Sequence, residues 1–159
     1  MDEMKFIPSI YLAFSLNKLT FLMAVRKVLI SKFDYDNSID GLIGETYAEI
    51  KLGMVKAKSR TEGIDGHING RSVQVKTKGG KKEYKDTEHY IEINPNHTEL
   101  IDDLLMIFIK DSKLSHVGPI SLSSCTPKIQ TSGRLRIYLQ DMNNQITASK
   151  DDGGNTNGR

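Results

Sequence analysis

The spacing of apolar residues predicts helices in the first third of the chain. Between residues 9 and 33, apolar side chains recur at helical spacing, which favours one long helix or two shorter ones. After a polar break, residues 41–52 predict another helix, with Asp40 as its N-cap and Gly53 just beyond its end. The apolar stripe of this helix consists of Ile43, Tyr47, Ile50 and Met54. We expect these helices to pack against the rest of the chain.

A β-hairpin is predicted over residues 63–76, because Asn69-Gly70 suits a type I′ turn that needs positive φ at both central residues. In that register Ile68 faces Arg71, and Asp65 faces Gln74. Side chains alternate between the two faces of a strand. One face would then carry the polar side chains of Asp65, His67, Ser72, Gln74 and Lys76, and the other would carry Ile64, Ile68, Val73 and Val75. We expect the apolar face to enter the core.

Further strands are predicted in the second half of the chain. Residues 89–93 alternate weakly and 94–96 stop that strand, whereas 104–109 form a continuous apolar run typical of a strand buried on both faces. Residues 112–128 suggest short strand-like pieces around Gly118-Pro119, and 134–139 predict a last strand with Leu135, Ile137 and Leu139 inward. Helices followed by strands indicate an α/β (α+β) fold, in which helices pack on a sheet.

Length and composition predict one domain over residues 1–141, with an N-terminal helical segment (1–36) and a core (38–139). Residues 142–159 are polar and rich in Gly and Asn, so we expect a disordered tail. A single cysteine, Cys125, excludes an internal disulfide and a cysteine-built metal site, and fits a reducing, cytoplasmic setting. The apolar start lacks a basic flank, so neither export nor a membrane span is expected.

Charge is unevenly distributed along the chain. The net charge is only +2, but residues 51–85 contain ten basic and three acidic residues. This local excess suits a polyanionic partner, although a solvated lysine-rich loop would have the same composition. The basic residues that we assign to nucleic-acid binding are Lys56, Lys58, Arg60, Arg71, Lys78, Lys81, Lys82 and Lys85.

The polar hairpin face and the preceding helix suggest a hydrolytic site. Glu45 and Glu49 lie four residues apart; we favour a functional role for Glu45, beside Gly44, and a solvent-facing one for Glu49. Phosphodiester hydrolysis needs an activated water and neutralised phosphate charge, which carboxylate-bound Mg²⁺ provides. Glu45 and Asp65 would bind the metal together with the main-chain carbonyl of Val75. Gln74 would orient water, and Lys76 would lie beside the attacking water or the phosphate.

Three segments, Gly44-Glu45, Glu62-Gly63-Ile64-Asp65-Gly66 and Gln74-Val75-Lys76, resemble the PD-(D/E)XK, or restriction-endonuclease-like, superfamily. The Gln-x-Lys form of the last segment is similar to the motif of the Mrr-like branch of this superfamily. The resemblance covers roughly residues 41–110. It implies a central mixed β-sheet flanked by helices, here with an extra N-terminal helix. It also implies a DNA endonuclease that uses Mg²⁺ or Mn²⁺, with catalytic residues Glu45, Asp65, Gln74 and Lys76. A homodimer is expected, since two cuts in a duplex usually require two such sites.

Other interpretations remain open. Ile64 replaces the proline of the superfamily pattern, and Gln74 replaces an acid, which removes a negative charge from the metal site. An inactive nucleic-acid-binding module, acting on DNA or RNA, would have the same features. So would an interaction or inhibitor protein on the same fold, in which Asp65, Gln74 and Lys76 form an ordinary cross-strand polar cluster.

Overall fold

The computed structural model describes residues 6–33, 39–58, 63–79, 89–110 and 112–151, with side chains from residue 16 to 31 in the first helix and up to 145 in the last. In chain order the elements are α1 (Phe6–Phe33), α2 (Asp40–Leu52), β1 (Val55–Lys56), β2 (Gly66–Ile68), β3 (Arg71–Gly79), β4 (Tyr90–Ile93), β5 (Asp103–Lys110), β6 (Lys113–Ser121), β7 (Lys128–Ile129), β8 (Leu135–Tyr138) and α3 (Leu139–Asp151). Short 3₁₀ helices occupy Pro95–Leu100 and Leu122–Ser124.

The strands form two sheets. The larger sheet has the order β1-β2-β3-β5-β6, in which β3 and β5 are parallel and the other neighbours are antiparallel. The smaller sheet has the order β4-β8-β7 and is antiparallel. The predicted fold class, an α/β protein with a central mixed sheet flanked by helices, is therefore confirmed.

β5 is the centre of the core because its continuous apolar run is covered on both faces. On one face Leu104 and Met106 pack with residues of the small sheet and with Met142 of α3. On the other face Leu105 and Ile107 pack with Tyr47 of α2 and its neighbours. The strand predicted to be buried on both sides is thus the one that the fold encloses most completely.

The ends of α2 agree only in part with the sequence prediction. Gly53 ends the helix at φ 67°, in the left-handed conformation that glycine adopts without a steric cost. The prediction that Asp40 is the N-cap is wrong, because Ile39 occupies that position. Asp40 is the first helical residue, and its buried carboxylate accepts hydrogen bonds of 2.6 and 3.3 Å from Arg26 of α1. This pair joins the two helices.

Two further predictions differ from the structure. The disordered tail expected from residue 142 is instead helical up to Asp151, because Leu139 and Met142 lie on one helix face and enter the core; residues 152–159 lie outside the described residues. Ile64 does not share the packing of Ile68: it contacts the cluster under the small sheet, since the chain leaves the β-ladder at Asp65. Residues 113–121 form one strand rather than several pieces.

Within the described residues, the structure has no helix that is long and apolar enough to cross a membrane.

Gly44 allows α2 to approach β3 closely. A Cβ at this position would collide with Oγ1 of Thr77, whereas a Cβ at Gly41, on the same helix, would meet nothing within 4 Å. We therefore expect Gly44→Ala to lower the free energy of unfolding by about 1–3 kcal/mol, and Gly41→Ala to raise it by up to about 1 kcal/mol through helix propensity. Urea unfolding of both variants checks this. Equal effects would contradict the close packing.

Candidate functional site

The β2–β3 hairpin has the predicted turn and register. Asn69 and Gly70 both have positive φ, at 51° and 78°. Ile68 pairs with Arg71, and His67 pairs with Ser72. The ladder ends at the pair of Gly66 and Val73, whereas β3 continues to Gly79. Among the described residues, no strand therefore pairs with the second half of β3 on this side, and we call this position beside Asp65 the gap.

Asp65 lies where the ladder of β2 and β3 ends, and its main-chain and side-chain groups form hydrogen bonds with β3 where a paired strand otherwise would. Its amide donates to the carbonyl of Val73 at 2.9 Å. Its Oδ2 accepts the amide of Val75 at 2.6 Å and Nε2 of Gln74 at 3.2 Å. The expected proximity of Asp65 and Gln74 is thus present in the structure. Both hydrogen bonds that the Asp65 side chain accepts from described residues end on Oδ2.

The carbonyl of Val75 also faces this gap. In a β-strand the N–H and C=O of one residue project to the same side of the strand. Because the amide of Val75 points to Asp65, its carbonyl points to the side that β2 has left. The main-chain oxygen assigned to the metal from the sequence therefore has the required direction.

Glu45 reaches the same place from α2. Its Oε2 lies 2.5 Å from Nζ of Lys56, which belongs to β1, the strand paired with β2. The hydrogen bond with Glu45 raises the pKa of Lys56, against a smaller opposing effect of burial, and the charges of Glu49 and Asp65 raise it further. Three carboxylates therefore surround Lys56, those of Glu45, Glu49 and Asp65. We call these four residues the acidic cluster.

The acidic cluster favours a bound cation. Burial raises the pKa of Asp65; its hydrogen bond from Val75 acts in the opposite direction, and the nearby charge of Glu45 raises the pKa again. A positive charge placed near Asp65 and Glu45 would oppose the effect of Glu45 on the pKa of Asp65. Lys56 supplies part of that charge through its ion pair with Glu45.

Glu49 is not the solvent-facing residue that we predicted. It is half-buried, and its Oε1 is buried without a hydrogen-bond partner among the described residues. The side-chain oxygens of Thr46 and Thr77 share this condition. An unpaired buried carboxylate oxygen is costly. Glu49 adds to the negative potential next to Glu45, since its charge also raises the pKa of Lys56.

The residues that would hold a magnesium ion are Glu45, Asp65 and the main-chain carbonyl of Val75. Across the described ranges no group of three or more His, Cys, Asp or Glu side chains could hold a metal ion. Mg²⁺, however, is commonly bound by one or two carboxylates and several waters. Glu45, Asp65 and the carbonyl of Val75 supply hard oxygen ligands of that kind. The observation that bears on this fit is the nearness of two carboxylates, since the charge of Glu45 raises the pKa of Asp65 although Lys56 pairs with Glu45.

Lys76 lies next to this arrangement but is not joined to it by a contact. It shares a strand face with Gln74 and lies roughly 6.6 Å further along β3. Its side chain is exposed. On the parallel strand its register partner is Met106. The ammonium of Lys76 is therefore accessible from solvent.

The residues assigned to nucleic-acid binding that the structure describes lie in different places. Arg71 lies at the other end of β3, where Asp103 holds its guanidinium at 2.7 and 2.8 Å. Lys78 lies over the ring of Tyr90, and Lys58 is exposed near the end of β1. Arg60, Lys81, Lys82 and Lys85 lie outside the described residues.

The raised pKa of Asp65 predicts a specific dependence of stability on pH. The folded protein holds this proton more tightly than the unfolded chain, so ionisation of Asp65 costs stability. The wild type should lose stability relative to Asp65→Asn as the pH rises from the ordinary value of 3.8 through the raised folded value. Urea unfolding of both proteins from about pH 3 to about pH 8 measures this. A difference that is constant, or that changes in the opposite sense, would contradict it.

Sequence reasoning missed two members of the acidic cluster. The sequence predicts a nucleic-acid contact for Lys56, whereas the structure places it in β1 and pairs it with Glu45. Its position in the cluster depends on α2 and β2 lying on either side of it, which no short sequence pattern shows. Glu49 had one signal, its spacing of four residues from Glu45 on the same helix.

No protein-family model matches this sequence, and no curated protein matches it either.

Proposed function

We propose that this protein is a divalent-metal-dependent DNA endonuclease of the restriction-endonuclease-like kind, which hydrolyses phosphodiester bonds. One observation carries the proposal: Glu45, Asp65 and the Gln74-Val75 segment converge where β2 leaves β3. These are the residues that the sequence motif selects. A purely structural polar cluster would not require a helix to bring a second carboxylate to the same gap.

In this proposal Glu45, Asp65 and the carbonyl of Val75 hold Mg²⁺ or Mn²⁺. When bound, the metal lowers the pKa of a water and neutralises phosphate charge. Asp65 is held in place by the amide of Val75. Gln74 donates to Asp65 through Nε2, and its amide oxygen would bind and orient a water. Lys76 approaches the scissile phosphate and stabilises the charge that develops on its oxygens.

Lys56 has a second task in the proposed site. Its ammonium balances Glu45, and its side chain is 48% exposed. If Glu45 held a metal, Lys56 would be able to contact a phosphate oxygen instead. This places a cation on each side of the acidic cluster, with Lys56 from β1 and Lys76 from β3.

The proposal is tested by end-labelled duplex DNA incubated with Mg²⁺, Mn²⁺ or EDTA, with the melting temperature of the protein measured in the same buffers. We expect cleavage with either metal and none with EDTA. The metals should also raise the melting temperature of the wild type, because a ligand that binds only the folded state stabilises it. If both metals failed to produce cleavage and also failed to raise the melting temperature, the result would contradict the proposal.

A non-catalytic nucleic-acid-binding module is the second candidate. It is favoured by Gln74, which stands in the place of an acid, and by the ion pair that already satisfies Glu45. This module would bind DNA in a salt-sensitive way and would leave it intact in every metal. The folded protein would then retard DNA without cleaving it.

The homodimer and the cytoplasmic location stay predictions. The dimer has one supporting feature: α1 exposes the apolar side chains of Leu16, Phe21 and Val28 by 43%, 66% and 53%. Such side chains are suited to an interface between two copies of the chain. Sedimentation equilibrium would establish the number of copies.

A further inference from the structure

A second basic surface lies on the outer face of the small sheet. Alternate residues of β4 and β8 enter the core, including Ile91 and Ile137, which are 1% and 0% exposed. The residues between them therefore point outward. We define the outer tyrosine face by the side chains of Tyr90, Glu92, Lys128, Arg136 and Tyr138.

Cations lie over both tyrosine rings of this face. Nζ of Lys78, from the end of β3, is 4.8 Å from the centre of the Tyr90 ring, and Cζ of Arg136 is 4.2 Å from it. Nζ of Lys128 is 5.0 Å from the centre of the Tyr138 ring. The two rings meet edge to face, with their centres 5.9 Å apart. Aromatic and basic side chains therefore alternate over a continuous surface.

The positive charge of the outer tyrosine face is only partly balanced. Its single acid, Glu92, accepts a 2.9 Å hydrogen bond from Arg136. Lys78 and Lys128 have no such carboxylate partner among the described residues. Burial lowers the pKa of Lys78, and the neighbouring charges of Lys76 and Arg136 lower it further. The cations on this face therefore repel one another, and a bound polyanion would relieve that repulsion.

The face is continuous with the candidate site through β3. Gln74, Lys76 and Lys78 occupy alternate positions on one face of this strand, and Lys78 reaches Tyr90. A strand of nucleic acid that follows this path would pass from the acidic cluster to the tyrosines.

We propose that the outer tyrosine face binds single-stranded nucleic acid, with unpaired bases stacked on Tyr138 and on the guanidinium of Arg136 that lies over Tyr90, and with phosphates on Lys78 and Lys128. Duplex DNA hides the faces of its bases, so a row of aromatic rings is useful chiefly to a strand whose bases are free. Lysine side chains are flexible, and each ammonium can leave a ring for a nearby phosphate when a base takes its place. Arg136, fixed by Glu92, adds a planar group on which a base also stacks.

This inference rests on the proposed function only for the claim that the bound strand is a substrate; binding itself requires no metal. The substrate would then be DNA with an unpaired segment, such as a flap, a branch or a melted end. The face would hold the single strand, while the acidic cluster acts on the backbone a few nucleotides away.

Fluorescence anisotropy with a labelled oligothymidine in EDTA tests the binding. We expect Tyr138→Leu to weaken binding about 10-fold and Tyr138→Phe to bind as the wild type does, because the ring and not the hydroxyl stacks on a base. Lys78→Gln should reduce the slope of log affinity against log salt by about 0.7, the value for one phosphate contact on a single strand.

Ile129→Ala is the matched control, since it removes another exposed side chain (78%) of the small sheet without a ring. It should leave the affinity unchanged, and circular dichroism should show the same fold for all variants. Wild-type affinity in Tyr138→Leu, or an equal loss on blunt duplex DNA, would overturn the inference. The same titration with oligouridine separates RNA from DNA as the source of the strand. Because EDTA prevents cleavage, absence of nuclease activity would not affect this result.

Discussion

Replacement of Asp65 by asparagine should lower metal-dependent cleavage at least about 100-fold. Asparagine retains an oxygen that can accept the amide of Val75, so the local fold is preserved, but it removes the negative charge of the proposed metal ligand. Replacement of a residue that hydrogen-bonds to a metal ligand typically lowers metal affinity or activity by about 10- to 100-fold. Removal of the charge of a ligand itself should lower cleavage at least as much. Single-turnover cleavage at several Mg²⁺ concentrations measures the effect.

Asp102→Asn is the matched control for that variant. Asp102 also accepts a main-chain amide of β3, that of Ser72 at 2.8 Å, but it lies at the other end of the strand. Its replacement should leave cleavage within about twofold of the wild type, because surface substitutions away from a site have small effects. The asparagine variant at Asp65 should also lose the rise in melting temperature with Mg²⁺. Equal activity of the two variants would remove Asp65 from the site.

Replacement of Lys76 by alanine should have the next largest effect, a loss of about 100- to 1000-fold in the cleavage rate. This is the usual cost of removing one group that stabilises charge in a transition state. Because the side chain is exposed, the free energy of unfolding should change by less than about 0.5 kcal/mol. The rate constant for cleavage and a urea unfolding curve, measured on the same preparation, give both values.

Lys113→Ala provides the control for charge. Lys113 is an exposed lysine on the edge strand β6, so its removal lowers the net charge equally. We expect it to weaken DNA binding slightly and to leave the rate at saturating DNA unchanged. If Lys76→Ala lowered only the affinity, and cleaved normally at saturating DNA, Lys76 would be a phosphate contact and not a catalytic residue.

The hairpin could be predicted from the sequence because its signals are local. Asn69-Gly70 sets the turn, the turn sets the register, and the register brings Asp65 to Gln74 and Val75. Likewise the apolar run of β5 shows directly that both faces are buried. These features depend on neighbours in the sequence or on a simple period, and they are confirmed.

The features that the sequence did not reveal depend on distant segments. Lys56 joins the acidic cluster only because α2 and β2 lie on either side of β1. Asp40 has the chemistry of an N-cap, but Arg26 of the preceding helix offers it a stronger partner. Residues 139–151 are polar on average, and their helix is stabilised by the core that Leu139 and Met142 enter. Tertiary contacts decide each case.

The most direct test of the central claim is the conversion of supercoiled plasmid by the wild type and by Lys76→Ala, each with Mg²⁺, Mn²⁺ or EDTA. The account predicts nicked or linear product with the wild type and metal, and neither product with EDTA or with the folded variant. Equal cleavage by both proteins would show that the activity does not come from this site. If the DNA were retarded but intact in all lanes, the result would contradict the proposed nuclease activity and favour the non-catalytic nucleic-acid-binding module.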